Sequence, residues 1–397
     1  MPVLEAHDSH RLAQRCLELA AASRVDDGFG WLRDDGTVDH GRPAELWITA
    51  RMTHVLALST AAGDDRWHGL LEHGHHALRT SFRDPEHGGW YAVAHSDGSG
   101  WSKRLYEHAF VLLAATSLTA VDVPGSHETF GEILDVLDRH FWEDAAGAAL
   151  EARTRDWSAV EDYRGANGNM HLVEALLAAS EVSGDPQWAQ RALRIVERLI
   201  GTEARAHEWR LPEHFDSSWT VLPEFNRDRP RDPFRPYGIT PGHGLEWARL
   251  LIHLEVALGD AAPPWLVHAA TGLAGRALTD GWQRPAGIVY TTGWDGVPVV
   301  RERFHWVACE GVLATHVLHE RTGDAGWQQW HDLVLGYALA QHVDADGSWI
   351  HELDADTLQI ARGTWDGRPD VYHAYQMLVM PRLPLRASAM GAVLAAR

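Results

Sequence analysis

Apolar residues recur at helical spacing in a series of Ala- and Leu-rich segments, and short breaks containing Gly, Asp and Trp separate them. Gly63-Asp64 with Trp67, Gly184-Asp185 with Trp188, Gly259-Asp260 with Trp265 and Gly323-Asp324 with Trp327 each follow one such segment and precede another. Gly is the natural residue just past a helix end and Asp the natural N-cap of the next helix, so each break reads as the turn of a helical hairpin. A fifth turn, without Gly-Asp, fits residues 121–126, where Pro124 and Gly125 break the pattern. The turns lie about sixty residues apart, with one longer step, which marks an internal repeat.

The helices ahead of these turns are predicted to begin near Glu45, Arg104, Gly168, His243 and Trp306, with a sixth near Tyr372. Short aromatic or alternating segments at 29–32, 88–93, 148–152, 207–211, 287–290 and 347–350 predict extended connections. Two connections, 154–168 and 212–242, are long, and long ordered loops are usually functional. No linker or composition break divides the chain. The expectation is therefore all-α: one (α/α)6-barrel catalytic domain over residues 1–397, six helical hairpins in a closed toroid with short β-hairpin-like connections. An open helical solenoid is the alternative.

In a closed ring one helix of each pair lines the inside. The segments before the turns, such as 111–116 and 176–180, are small and aliphatic, whereas 191–198 after a turn is charged. The former are the expected inner helices, with their N-termini at a common mouth. Their starts carry Trp47 and Arg51, Tyr106 and His108, Asn167, Asn169 and His171, His243 and Glu246, Trp306 and Glu310, and Tyr372 and His373. Trp47/Arg51, Asn167/His171 and Trp306/Glu310 are four apart and share a helical face. Stacking rings and hydrogen-bonding groups converging on one funnel describe a carbohydrate site. The plainer alternative is that each residue caps or packs its own helix.

Residues 236–251 hold the densest chemistry. Pro236, Gly238, Pro241 and Gly242 keep the approach out of a helix, and His243 and Glu246 then share its first turn. An imidazole beside a carboxylate suits proton transfer, and a capping histidine with a first-turn Glu is the rival reading.

Composition narrows the partner. Trp (19) outnumbers Phe (9) and Tyr (8), a bias that suits stacking on sugar faces, and there are 26 His. A formal charge of −20 with no basic run argues against nucleic acid or an anionic membrane. Cys16 and Cys309 make no disulfide framework, no apolar run approaches ~18 residues, and no signal-peptide pattern opens the chain. A cytoplasmic protein, monomer or homodimer, acting on a free monosaccharide is expected.

The segments 47–52, 166–171, 240–247, 306–310 and 371–374 resemble those of the N-acylglucosamine 2-epimerase superfamily, from about Trp47 to Leu378. Within it they are most similar to the aldose–ketose isomerase branch of mannose and sulfoquinovose isomerases. Trp247 stands where the epimerase branches have a small residue, and His373-Ala374-Tyr375-Gln376 also departs from them. The resemblance implies an (α/α)6 barrel without a cofactor that interconverts a free aldohexose and its ketose, mannose and fructose first. It implies His243 and His373 as the acid/base pair. Arg51, Asn167, His171, Glu246 and Glu310 would bind or orient the sugar, and Trp47, Tyr106 and Trp306 would shape the pocket. On physical grounds Glu246 would also hold His243 in a productive tautomer.

Other readings stay open. A sugar 2-epimerase or a sulfoquinovose isomerase would use the same residues, the latter with a cation from Arg227, Arg229, Arg231 or Arg235. An inverting glycosidase would need two carboxylates, from Glu246, Glu310, Asp156, Glu161 or Asp162. A metal enzyme could draw on His73-Gly74-His75-His76, although no metal is expected because no zinc-binding pattern occurs. A non-catalytic helical scaffold is the last. No Gly-rich phosphate loop is present.

Overall fold

The computed structural model describes residues 6–397. Thirteen α-helices among them are α1 (Ala6–Ala22), α2 (Leu46–Ala61), α3 (His68–Arg79), α4 (Leu105–Ala120), α5 (Ser126–Val136), α6 (Ala166–Ser183), α7 (Gln187–Val196), α8 (Pro241–Leu258), α9 (Trp265–Gly281), α10 (His305–Thr322), α11 (Ala325–Gln341), α12 (Tyr372–Val379) and α13 (Ala389–Ala395). Helices α2, α4, α6, α8, α10 and α12 each pack on the next, and α12 packs back on α2. The ring is closed, so the open solenoid is excluded.

Each inner helix has an outer partner: α3 on α2, α5 on α4, α7 on α6, α9 on α8 and α11 on α10. The sixth pair departs from a simple hairpin. Helix α12 is backed by α1, from the other end of the chain, while the segment after α12 folds under the barrel and α13 packs on α2 and α6. Six inner and six outer helices result, but one pair is joined through space and not by a turn.

Composition explains the layers. Every residue of α2 is buried, because a helix enclosed on all sides needs apolar or small residues all round. The outer α7 buries Ala189, Ala192, Ile195 and Val196 along one stripe and keeps its arginines outward. Three of the Gly-Asp turns form as expected: Asp64, Asp185 and Asp324 accept from the backbone N–H of Arg66, Gln187 and Gly326, and Gly184 and Gly323 are left-handed at helix ends. At the fourth, Gly259–Ala261 is a 3-10 turn and the next helix begins at Trp265 after Pro264, so Asp260 does not cap it.

What pins the inner helices at one mouth is a ring of antiparallel bridges. Glu45 pairs with Val93, Arg104 with Ala152, Gly165 with His214, Ile239 with Thr292 and Phe304 with Glu352. Each pair ties the residue ahead of one inner helix to the segment leading into the next, and Leu32 with Arg368 closes the circle. The extended segments expected near 148–152 and 287–290 are strands, Ala148–Ala149 and Gly287–Ile288. Residues 207–209 form a turn instead and 210–211 are irregular, because the helical path after α7 runs on through Glu197–Ala204 with a widened, π-type pitch.

Candidate active site

The mouth of the ring holds a cleft of about 650 Å³. Trp47, Arg51, Tyr106, Asn167, His171, His243, Glu246, Trp306 and His373 all line it. Glu310 lies one layer deeper, beneath His373. His108 and Asn169 serve their own surroundings: His108 lies between Arg104 O and Trp90 N, and Asn169 bonds Ala149 and Gly165.

Helix α8 begins at Pro241, whose fixed φ and missing N–H suit a first helical position, so His243 is the third residue of the helix and not its cap. Two glycines make the approach possible. Gly238 has φ +95°, and a Cβ there would lie 2.3 Å from Thr292 O; a Cβ on Gly242 would lie 2.6 Å from the Trp306 ring. Trp306 can therefore lie against the start of α8, with ring centroids 5.3 Å from His243 and 5.8 Å from His373.

Glu246 does not hold His243. The His243 Nδ1 lies 2.9 Å from Glu213 Oε1, and Glu213 comes from the long 212–242 connection. Its place is set by the barrel rim, where Glu213 O accepts from Ala166 N at the start of α6 and the next two residues form a strand with Arg164–Gly165. His373, on α12, has the matching arrangement, with Nδ1 2.9 Å from Glu310 Oε1 on α10. A carboxylate at Nδ1 fixes the proton there and leaves Nε2 as the nitrogen that can exchange a proton.

Behind these pairs lies a buried charge cluster. Arg249 donates to Glu310 at 2.8 Å and sits 3.5 Å from Glu246 and 3.7 Å from Glu174, while the Tyr372 hydroxyl donates to Glu174. Burial pushes the Glu310 carboxyl upward, but Arg249 and the His373 bond more than offset this and hold it below the ordinary range. Glu246 goes the other way. Burial and then repulsion from Glu310 raise it well above that range, and its Oε1 has no hydrogen-bond partner. Burial holds His171 down at about 3, so its ring is neutral. Arg51 donates to Asp370 at 2.9 Å and to the Tyr106 hydroxyl at 2.9 Å.

Several groups at the cleft escaped the sequence reading: Glu213, Phe234, Tyr290, His305, His351, Trp365 and Asp370. The length of the 212–242 connection was the available signal for Glu213 and Phe234. Arg227, Arg229, Arg231 and Arg235 pair with Glu224, Asn226, Glu302 and Glu161 and stay out of the cleft. The histidines of α3 point elsewhere too: His73 bonds Val25 O and Gly28 O, and His75 bonds Thr129. Two triads, His171/Glu174/Glu246 and Glu246/Glu310/His373, have ligand atoms close enough for a cation. The Arg249 guanidinium already supplies positive charge to all three of those carboxylates.

Residues 28–377 match the family model of N-acylglucosamine 2-epimerase (GlcNAc 2-epimerase). A D-mannose isomerase of Thermobifida fusca is 44% identical over 99% of this chain and 99% of its own. A D-mannose isomerase of Pseudomonas cannabina pv. alisalensis is 42% identical over 96% of this chain and 93% of its own. A crystal structure of a D-mannose isomerase superposes with a TM-score of 0.85 at 24% identity, covering 99% of this chain and 100% of that one.

Proposed function

The chain belongs to the N-acylglucosamine 2-epimerase family, and on that premise we propose that it interconverts a free aldohexose and its ketose, D-mannose and D-fructose first. The observation that carries this reading is the pair of imidazoles flanking Trp306, each with Nδ1 held by a buried carboxylate. The full-length relatives named D-mannose isomerase support the substrate.

Aldose–ketose exchange opens the sugar ring and then carries a proton from C2 to C1 through a cis-enediolate, while a hydroxyl proton moves from O2 to O1. C2 is oxidised as C1 is reduced, so the redox change is internal to the sugar. A base titrating near neutrality suits the carbon step, and an imidazole is one. We assign that shuttle to His373 and ring opening to His243. Arg51 stabilises the developing enediolate oxygen. Glu246, as a neutral acid, donates a hydrogen bond to a sugar oxygen, with Asn167 and His171 beside it. Trp47, Tyr106 and Trp306 provide the apolar walls.

Epimerisation at C2 is the second reading, favoured by the presence of two imidazole bases at one cleft, His243 and His373. Trp247, the position that sets this chain apart from the epimerase branches, is fully buried and outside the cleft, so it acts through packing. We place the enzyme in the cytoplasm, consistent with two buried unpaired cysteines, as one catalytic unit working as a monomer or homodimer. Among the described residues no helix is long and apolar enough to cross a membrane.

Incubation with mannose, glucose, sulfoquinovose, cellobiose and N-acetylmannosamine, followed by chromatography, tests the proposal. Fructose from mannose is expected, and no ketose from any aldose would overturn it. In deuterium oxide, His373→Ala should lower exchange of the sugar C2 hydrogen by roughly 10²- to 10⁴-fold. Exchange at the wild-type rate would move the shuttle to His243.

A further inference from the structure

One part of the cleft wall is not used by the chemistry above. His305, the first residue of α10, and His351, on the segment before α12, both line the cleft, and their rings stack with centroids 3.8 Å apart at 29°. The backbone fixes the stack, since His305 N donates to His351 O at 3.1 Å. His305 is 4% exposed and His351 6%, yet neither ring nitrogen of His305 has a hydrogen-bond partner. Burying an imidazole with both nitrogens unpaired is unfavourable, and such groups in native proteins nearly always have a partner. Both nitrogens are closed off from solvent, and His305 borders the cleft, so a group bound there could partner one of them.

The surroundings define its chemistry. Burial pushes both rings well below the usual histidine range, helped by repulsion from His351 at His305 and from Arg368 at His351, so both are neutral. A neutral imidazole offers one donor and one acceptor on diverging edges, and a hydroxyl, able to accept or to donate, can meet either of them. A phosphate or sulfonate accepts only and calls for cations. Arg51 is the one arginine or lysine lining this cleft among the described residues, and Asp370 engages it at 2.9 Å.

We propose that His305, braced by His351, is a hydroxyl-recognition subsite of the cleft. This rests on the aldose–ketose reading, which makes the ligand a polyhydroxylated chain. His305 is a specificity-determining residue here, and His351 a positioning one.

The test compares the wild type with His305→Leu and His305→Asn on mannose and on its 3-, 4- and 6-deoxy analogues. Binding of mannitol, a non-reacting polyol, is followed by calorimetry. His305→Leu should lower kcat/KM on mannose by roughly tenfold to a hundredfold, mostly through KM. On the deoxy sugar that lacks the recognised hydroxyl the loss should nearly vanish. His305→Asn, which keeps a donor and an acceptor, should recover much of it. Mannitol affinity should fall in His305→Leu by a factor similar to that for mannose.

An equal loss on every analogue would make His305 structural and overturn the proposal, as would unchanged kinetics or equal mannitol binding in all three proteins. Failure of the wild type to isomerise mannose strikes the functional reading alone. The mannitol comparison then still decides the subsite, and mannitol binding to neither form counts against it.

Discussion

The two imidazole–carboxylate pairs match in distance, 2.9 Å each, and differ in what stands behind the carboxylate. Glu310 belongs to a core helix and is gripped by Arg249 within a cluster that also contains Glu174 and Glu246. Glu213 sits on the barrel rim, placed by one backbone hydrogen bond and a two-residue strand. The His373 pair is thus part of the structure that folds the barrel, and the His243 pair is carried by a connection laid over it. A change at the first should cost stability and activity together. At the second, the two should separate.

The sharpest test is Glu310→Gln. It leaves Arg249 in the core without its nearest carboxylate charge, and breaking such a buried pair costs about 3–5 kcal/mol. Turnover should fall about a hundredfold or more, as for a lost partner that orients a catalytic base. Because the folded-state pKa of Glu310 is depressed, its contribution is complete above the ordinary carboxylate value and is lost as pH falls through the lower folded one. The variant should therefore show a flatter loss of stability on the acid side. A thermal melt unchanged from wild type would end the contrast between the two pairs.

Next in size is Glu213→Gln, expected to lower kcat about ten- to a hundredfold with a melting temperature close to wild type. A large drop in melting temperature would mean that the rim is as integral as the core. Gly242→Ala comes third. The added Cβ meets the Trp306 ring, displaces the plate between the two histidines, and should cost about 1–3 kcal/mol as over-packing, with a severalfold loss in kcat/KM. Turnover at the wild-type level would show that the position of Trp306 is not critical.

The smallest effect is expected from Glu246→Gln, and on stability it has the opposite sign. The raised folded pKa of Glu246 means that the folded state binds more protons than the unfolded chain between the ordinary carboxylate value and the raised one. Its penalty is absent below about pH 4.3 and grows as pH rises through that window. Removing the titration should raise stability at pH 7 by about 1 kcal/mol or more, the equivalent of one pKa unit, and the gain should vanish near pH 4. Destabilisation at neutral pH would instead show that Glu246 is an ionised partner of Arg249.

Much of the molecule was legible along the chain. The inner helices start at Leu46, Leu105, Ala166, Pro241, His305 and Tyr372, within two residues of where the Gly-Asp turns and apolar runs place them. Helix caps and apolar periodicity are local, so a linear reading reaches them. The use of α1 as the outer partner of α12 was not legible, since closing the ring joins distant parts of the chain. His305 escaped notice beside the conspicuous Trp306, because nothing in one dimension tells a paired imidazole from an unpaired one.

The sequence by itself determined a repeating set of helix starts and the chemical types gathered there: imidazoles, carboxylates, arginine and indoles. Only the tertiary structure decided which carboxylate meets which imidazole. Glu246 shares a helical turn with His243, yet it is Glu213, 30 positions away, that bonds it, and Glu310 bonds His373 across 63. Neighbours on a helix point outward at different angles about one axis. A hydrogen bond needs two atoms within about 3 Å in the right direction, and in a closed barrel the facing element supplies that more often than the same helix does.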